Sequence, residues 1–442
     1  MNTTVLCVDI GTTSLKAALI SKKGHVDADC RLELQSGERA AESWLLTLGE
    51  AVKQLPRRKL AAVCISGNGP TVVSSSGKTL SWDVIDETTS ANATNLKPTN
   101  STNQQHGFLV DSEPEFHSLW IPRLQLFKQH FSDPWQQDEY FFGAPEYLIW
   151  RLTATALTIL PEKRYEQIYW TEKQLADAGF TAQEQAKLPP FAAPASLAGT
   201  VTKEAAEATG LKKGTRVFCG APDFIAALVG TNTLKSGNMC DRAGTSEGLN
   251  LCTPLPLTGS QIRTLPSIIP GLWNASVLIP DSGKRFAQYK TKVEFQTRKV
   301  FSYQALTEEL LEHGGGHLPI PLAVEGRSLL EQLGREVQKA VATLTYAAFR
   351  THVLTPDGKA EESIPLPDEM MLTGAQARSK PWTIYKCTIA DITCKVTNCI
   401  DAELMGDNIF ARVGLGEFKS IQEAADALVT VESTYFPTTA AL

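Results

Sequence analysis

Apolar residues in this chain alternate between short continuous runs and helical spacings, and that alternation predicts an α/β protein. Residues 5–8 form an apolar run ending at Asp9, and residues 15–20 form a second. Gly11-Thr12-Thr13 lies between them with turn chemistry, so the chain opens on a β-hairpin, followed by a turn at Lys22-Lys23-Gly24. A helix over residues 43–53 and a buried strand over 60–65 follow, and Ser66-Gly67-Asn68-Gly69-Pro70 breaks the strand. Helical spacing returns over 117–130 and 145–152, and a short helix from 205 closes on Gly210.

The second half restarts the pattern. Residues 216–219 predict a strand, 220–230 a turn entering a helix, and 239–241 a strand leading into Gly244-Thr245-Ser246, with another apolar run at 249–252. Asp241-Arg242-Ala243-Gly244-Thr245-Ser246 is a near repeat of Asp9-Ile10-Gly11-Thr12-Thr13-Ser14, offset by one residue. Two hairpins with Gly-Thr tips, one per half, predict a duplicated domain, divided as 1–235 and 236–442. A long helix is expected over 328–354, a strand over 370–372 ahead of Gly374, and a helix over 402–413 ending at Gly414. Residues 86–107 are rich in Thr, Asn and Ser and predict a solvated excursion.

Composition narrows the function classes. A chain of 442 residues holds two or three domains, and 42 Lys and Arg against 48 Asp and Glu leave a net charge of -6 without any like-charge block. Neither nucleic acid nor an acidic membrane is an expected partner. The first residues lack a basic n-region and no run reaches the roughly 18 apolar residues of a membrane helix, so a cytoplasmic protein is expected. The N-x-[S/T] triplets at Asn92 and Asn100 are then chance matches. Nine scattered cysteines, an odd number without C-x-x-C spacing, predict neither a disulfide framework nor a zinc site.

The hairpin tips carry the first candidate chemistry. Glycine permits a tight turn that presents N–H groups to an anion, and Thr12, Thr13 and Ser14 add hydroxyl donors. Asp9, at the end of a buried strand beside that tip, suits a Mg2+ ion, although Asp-x-Gly-Thr is also simply a good hairpin turn. The second Gly-Thr tip favours the phosphate reading. Asp223, between an apolar strand and a helix, is a candidate for the base that takes a proton from a substrate hydroxyl, and also a common helix cap. Gly374-Ala375-Gln376-Ala377 is a small-residue turn that could admit an aromatic base or serve as an ordinary strand-to-helix connection. Gly77-Lys78-Thr79 lacks the first glycine of a P-loop, and Gly67-Asn68-Gly69 meets Val72 where a dinucleotide loop needs its third. His313 and His317 flank three glycines without evident carboxylate neighbours, which suits a flexible loop.

Taken in order, residues 8–16, 220–230, Gly244 to Gly248, Gly374 to Arg378 and Asp401-Ala402-Glu403 resemble the FGGY carbohydrate kinases over nearly the whole chain. The resemblance implies two actin/Hsp70-like, ribonuclease H-like ATPase domains with an interdomain cleft. It implies an ATP- and Mg2+-dependent kinase acting on a terminal hydroxyl of a small sugar or polyol, a ketopentose such as xylulose being the best match. A catalytically impaired nucleotide- or sugar-binding regulator of the same fold is the alternative. Asp223 is then similar to the catalytic base and Asp9 to the metal-site aspartate. Gly11, Thr12, Thr13, Lys16, Gly244, Thr245 and Ser246 are similar to phosphate ligands, and Gly374, Ala375, Gln376 and Asn408 to the rest of the nucleotide site. Asn68, Trp82, Asp83, Asp223 and Phe224 are expected around the acceptor. The chain departs from the family at Gly67 to Pro70, near Trp82 and Asp86, and over 160–169 and 318–330, so acceptor identity does not transfer. A homodimer is one assembly the resemblance leaves open.

Overall fold

The computed structural model describes residues 4–84, 117–351, 353–354, 360–361 and 364–438. The chain divides into two compact units: Met1–Gly230 with Glu403–Leu428, and Thr231–Ala402 with Val429–Leu442. The break falls at 230/231 rather than after 235, and the first unit takes back Glu403–Leu428, which a division by halves assigns to the second. The physical reason is close packing. A Cβ on Gly406 would lie 2.1 Å from the Ala226 carbonyl, so glycine lets the helix Ala402–Gly414 press against the helix Asp223–Gly230.

The first unit is built on six strands: β1 (Thr4–Ile10), β2 (Ser14–Ile20), β3 (Val26–Glu33), β4 (Leu60–Gly67), β5 (Leu197–Thr200) and β6 (Arg216–Pro222). Their order is β5-β6-β4-β1-β2-β3, with β1, β4 and β6 parallel and the other pairs antiparallel. The second unit holds β7 (Met239–Ala243), β8 (Glu247–Thr253), β9 (Arg263–Pro266), β10 (Trp273–Ile279), β11 (Glu369–Thr373), β12 (Thr393–Thr397) and β13 (Val431–Tyr435). Their order is β9-β10-β8-β7-β11-β12-β13, with β7, β11 and β12 parallel. From β3 and from β10 inward, the successive pairings are the same in kind: two antiparallel, two parallel, one antiparallel. The predicted duplication is therefore a duplication of topology, with β9 added in the second copy.

Every residue of β1 is buried, as expected of a strand covered on both faces. Leu6, Val8 and Ile10 pack with Leu15, Val63 and Ile65 and with Trp44, Leu48, Leu148 and Leu152. In the second unit Leu249, Leu251, Val277 and Leu372 pack against Val337, Val341 and Leu344 of the helix Ile320–Arg350. That helix starts eight residues before the predicted 328, because Pro321 is tolerated in a first turn where its missing N–H has no partner to lose. It stops at Arg350, and Val353–Leu354 pairs as a strand with Ala360–Glu361. The helix expected from 117 runs from Ile121 to His130. The polar excursion over 86–107, with Asn92 and Asn100, lies outside the described residues. The nine cysteines are free, and among the described residues no helix is long and apolar enough to cross a membrane.

Candidate active site

In the first unit β1 delivers Asp9 to a buried charge cluster. Asp9 is cross-strand from Lys16 on β2 and beside Ser66 on β4. Its Oδ2 lies 3.2 Å from the Lys16 ammonium, which is also 3.4 Å from Glu403. Ser66 Oγ donates to Asp407 Oδ2 at 3.0 Å and lies 3.5 Å from Asp9 Oδ1. Burial pushes the Asp9 carboxyl up, Lys16 pulls it back, and Glu403 and Asp223 raise it again, leaving it at about 6. Burial and the charge of Asp9 likewise hold Asp407 well above the usual carboxylate range. Negative groups outnumber the single ammonium, which is the condition under which hard oxygen ligands take a divalent cation.

Asp223 opens the helix Asp223–Gly230, half-buried, with Oδ1 accepting the Phe224 N–H at 2.6 Å. Its placement depends on Gly220. The pairing of β6 with β4 shifts between Cys219 and Pro222, and a Cβ on Gly220 would lie 2.3 Å from the Ile65 carbonyl and 2.6 Å from Asp407 Oδ1. Only a glycine permits that approach, which brings the end of β6 onto the Asp407 side of the cluster. The carboxylate of Asp223 raises the pKa of Asp9, so the proposed base and the proposed metal residue belong to one electrostatic neighbourhood.

Three residues expected around the acceptor and the phosphate tip do meet. Thr12 Oγ1 accepts from Trp82 Nε1 at 2.8 Å and from Asn68 Nδ2 at 3.4 Å. Both lone pairs of that hydroxyl are engaged, so what it has left to offer a ligand is its proton. Thr71 fixes Asn68 by donating to its Oδ1 at 2.9 Å, and accepts the Trp82 N–H at 3.2 Å. Trp82 is 47% exposed, so part of its apolar surface stays open to solvent beside Thr12. Asp83 is exposed and accepts from Ser81 at 2.6 Å, turned to its own loop. Gly11 N–H is bound to the Ser14 carbonyl at 2.9 Å, closing the tip.

In the second unit Gly244 and Thr245 are exposed at the tip between β7 and β8. Ser246 Oγ accepts the Asp281 N–H at 3.1 Å, and the Thr245 carbonyl accepts the Lys284 N–H at 3.2 Å, tying the tip to the start of the helix Ser282–Thr297. Gly244 is not in the left-handed region, and a Cβ there meets nothing closer than 3.7 Å, so its backbone does not require glycine. Gly374 does. Its φ of 89° and ψ of -178° fall where essentially only glycine goes, and a Cβ would lie 2.3 Å from the Ala243 carbonyl. Gln376 turns inward from this loop, accepting from Trp382 Nε1 at 2.7 Å and approaching Ser282 Oγ at 3.4 Å, while Ala375 is exposed. Gly374→Ala is therefore expected to cost about 1–3 kcal/mol in backbone strain alone and to displace the adjoining end of β7. A lowered melting temperature together with weakened ADP binding is the expected result; wild-type values for both would remove the turn from the site.

Beneath the second tip lies a cluster that the sequence reading missed. Lys386 Nζ is 2.6 Å from Asp241 and 2.5 Å from Glu247, and all three side chains are within 2% of complete burial. Asn408, expected in the nucleotide site, is instead fully buried, with Oδ1 accepting from Arg412 at 3.3 Å. The same helix presents Glu403 and Asp407 to the Asp9 cluster. These two carboxylates at i,i+4 on an apolar helix were the signal available in the sequence. His317, expected without carboxylate neighbours, has Nδ1 2.8 Å from Glu309, and Glu308, Glu312 and His313 gather close by on the surface. Helical spacing of Glu308, Glu309 and Glu312 ahead of the glycines produces this.

Two units with the same succession of strand pairings, each with a Gly-Thr hairpin tip, make a duplicated α/β fold. The chain belongs to the FGGY family of carbohydrate kinases: residues 4–230 match the model of that family's N-terminal domain. It is similar to a xylulose kinase of Staphylococcus epidermidis, 20% identical over 481 residues covering 98% of this chain and 92% of the relative. An autoinducer-2 kinase of Escherichia coli K12 is 22% identical over 351 residues, 72% of this chain and 65% of the relative. Among solved structures, ligand-bound xylulose kinase from Lactobacillus acidophilus has a TM-score of 0.70 at 16% identity, covering 99% of this chain and 94% of that one. Plasmodium falciparum glycerol kinase with ADP has a TM-score of 0.70 at 13% identity, with the same coverage.

Proposed function

We propose that this sugar kinase transfers the γ-phosphoryl group of ATP to a terminal hydroxyl of a small sugar or polyol, with a ketopentose such as xylulose as the first acceptor to test. The observation that carries the reading is the Asp9, Lys16, Glu403 and Asp223 neighbourhood beside the first tip. Asp223 accepts the proton of the attacking hydroxyl, since its carboxylate stands just past the strand end that Gly220 brings beside the Asp9 cluster. Thr12, with both lone pairs engaged, donates its proton to a phosphate oxygen, and Asn68 and Trp82 keep it oriented. The exposed apolar surface of Trp82 suits the C–H face of a sugar. Asp9 and Glu403 would hold Mg2+, which supplies charge neutralisation at the phosphates. Within the second unit, the Gly244 to Ser246 tip and the Gly374 turn are the candidate nucleotide contacts. Nine free cysteines and a reaction using ATP suit the cytoplasm.

The relatives act on different acceptors by name, so the acceptor is an experimental question. Acceptor-dependent ADP release is expected with at least one member of a panel of ketopentoses, pentitols, glycerol and aldonic acids. ATP binding without release on any of them would favour a regulator.

A further inference from the structure

Counting inward from the last ladder pair of each hairpin, Ile10–Leu15 and Ala243–Glu247, aligns the two copies differently from their sequence repeat. The second tip is one residue shorter, so Asp9 corresponds to Arg242, not to Asp241. Their neighbours correspond as well: Asp9 is flanked by Lys16 and Ser66, Arg242 by Gly248 and Thr373. Alternation along β7 then sends Asp241 to the face holding Lys386 and Arg242 to the other.

The position that carries a carboxylate in the first copy thus carries a guanidinium in the second. Lys16 pairs with Asp9, but Gly248, opposite Arg242, has no side chain to pair. A Cβ built on Gly248 meets nothing nearer than 3.8 Å, and Leu278, next across the sheet, is 66% exposed, so the face beside Arg242 is open. Arg242 itself is half-buried. Its Nε is cut off from solvent with no acceptor, and among the described residues no carboxylate pairs with it. A buried donor left unmade is costly, and a guanidinium is built to take two oxygens of one oxyanion.

We infer that Arg242 is a phosphate-binding residue of the second hairpin, gripping a phosphate group of the nucleotide. This rests on the kinase reading above. The two copies would have diverged in sign: one hairpin holds the metal, the other a fixed cation two residues before its glycine.

Calorimetry on the full chain with Mg2+, using adenosine, ADP and the β,γ-imido analogue of ATP, tests it in the wild type, Arg242→Met and Arg242→Lys. Arg242→Met should bind ADP or the analogue roughly 10- to 100-fold more weakly while adenosine affinity is unchanged, and Arg242→Lys should fall between. Melting temperatures check that both variants fold, and the lysine variant keeps the test open if the methionine variant does not. Wild-type affinity for both phosphorylated ligands would overturn the inference, as would an equal loss for adenosine, which marks a structural role. A wild-type chain that binds none of the three ligands would instead overturn the kinase reading, and this inference with it.

Discussion

Asp223→Ala should lose turnover by roughly 10²- to 10⁴-fold, the usual worth of a general base, while ATP affinity stays close to wild type. The carboxylate begins the helix Asp223–Gly230 behind the Gly220 approach, and its charge is felt by Asp9. A proton acceptor there acts in the chemical step, whereas the nucleotide depends on positioning and charge neutralisation supplied elsewhere. The competing role for an aspartate at a helix start is structural. Losing such a residue typically costs about 1 kcal/mol of stability and leaves the surviving folded enzyme active. The decisive measurement is kcat, ATP affinity and melting temperature on one sample, with the acceptor found in the panel. A near-normal kcat with a lowered melting temperature would falsify the catalytic assignment. Asp223→Asn refines the result, since the amide keeps the shape and the Phe224 N–H contact but cannot take the proton.

Much of this arrangement was legible in the sequence because it is local. Apolar runs of strand length broken by Gly-Thr tips give β1–β2 and β7–β8, and Gly210 closes its helix in the left-handed conformation as its position suggests. What was not legible is non-local. Glu403 and Asp407 reach Asp9 and Ser66 across more than 300 residues of chain, because Gly406 lets a late helix return to the first unit. Periodicity marks that helix but not its destination. The burial of Asn408 against Arg412 was not legible for the same reason: the motif fixes the helix, and only packing decides which of Asp407 and Asn408 faces the Asp9 cluster. The repeat misaligned Asp9 with Asp241 because identity of residue type is a weaker guide than ladder register, and a one-residue difference in tip length moves a side chain to the other face of a sheet.

Lys386→Met should destabilise the protein by about 3–5 kcal/mol at neutral pH, the usual cost of removing one partner from a buried ion pair. Lys386 stands between Asp241 and Glu247 at 2.6 and 2.5 Å, and Asp241 Oδ1 and Glu247 Oε2 already lack partners. Without the ammonium, two carboxylates share a dry site with no counter-charge. The loss should depend on pH, and its sign follows from Asp241. Burial and the charge of Glu247 raise that carboxyl to about 8 even with Lys386 pulling it down. A carboxyl raised above its unfolded value near 4 binds more protons in the folded state, so its contribution to stability is lost as pH rises between about 4 and 8. Removing Lys386 pushes it higher and widens the difference. The melting-temperature deficit of Lys386→Met should therefore be small at pH 5 and large at pH 8, and Asp241→Asn on the same background should recover much of it. An equal deficit at both pH values would mean that the lysine acts through something other than these carboxylates, such as its ammonium over the Trp382 ring at 5.5 Å. Because Glu247 directly follows Ser246, the charge imbalance also reaches the tip. ADP affinity at pH 8 should fall with the melting temperature, and return with it when Asp241 is neutralised.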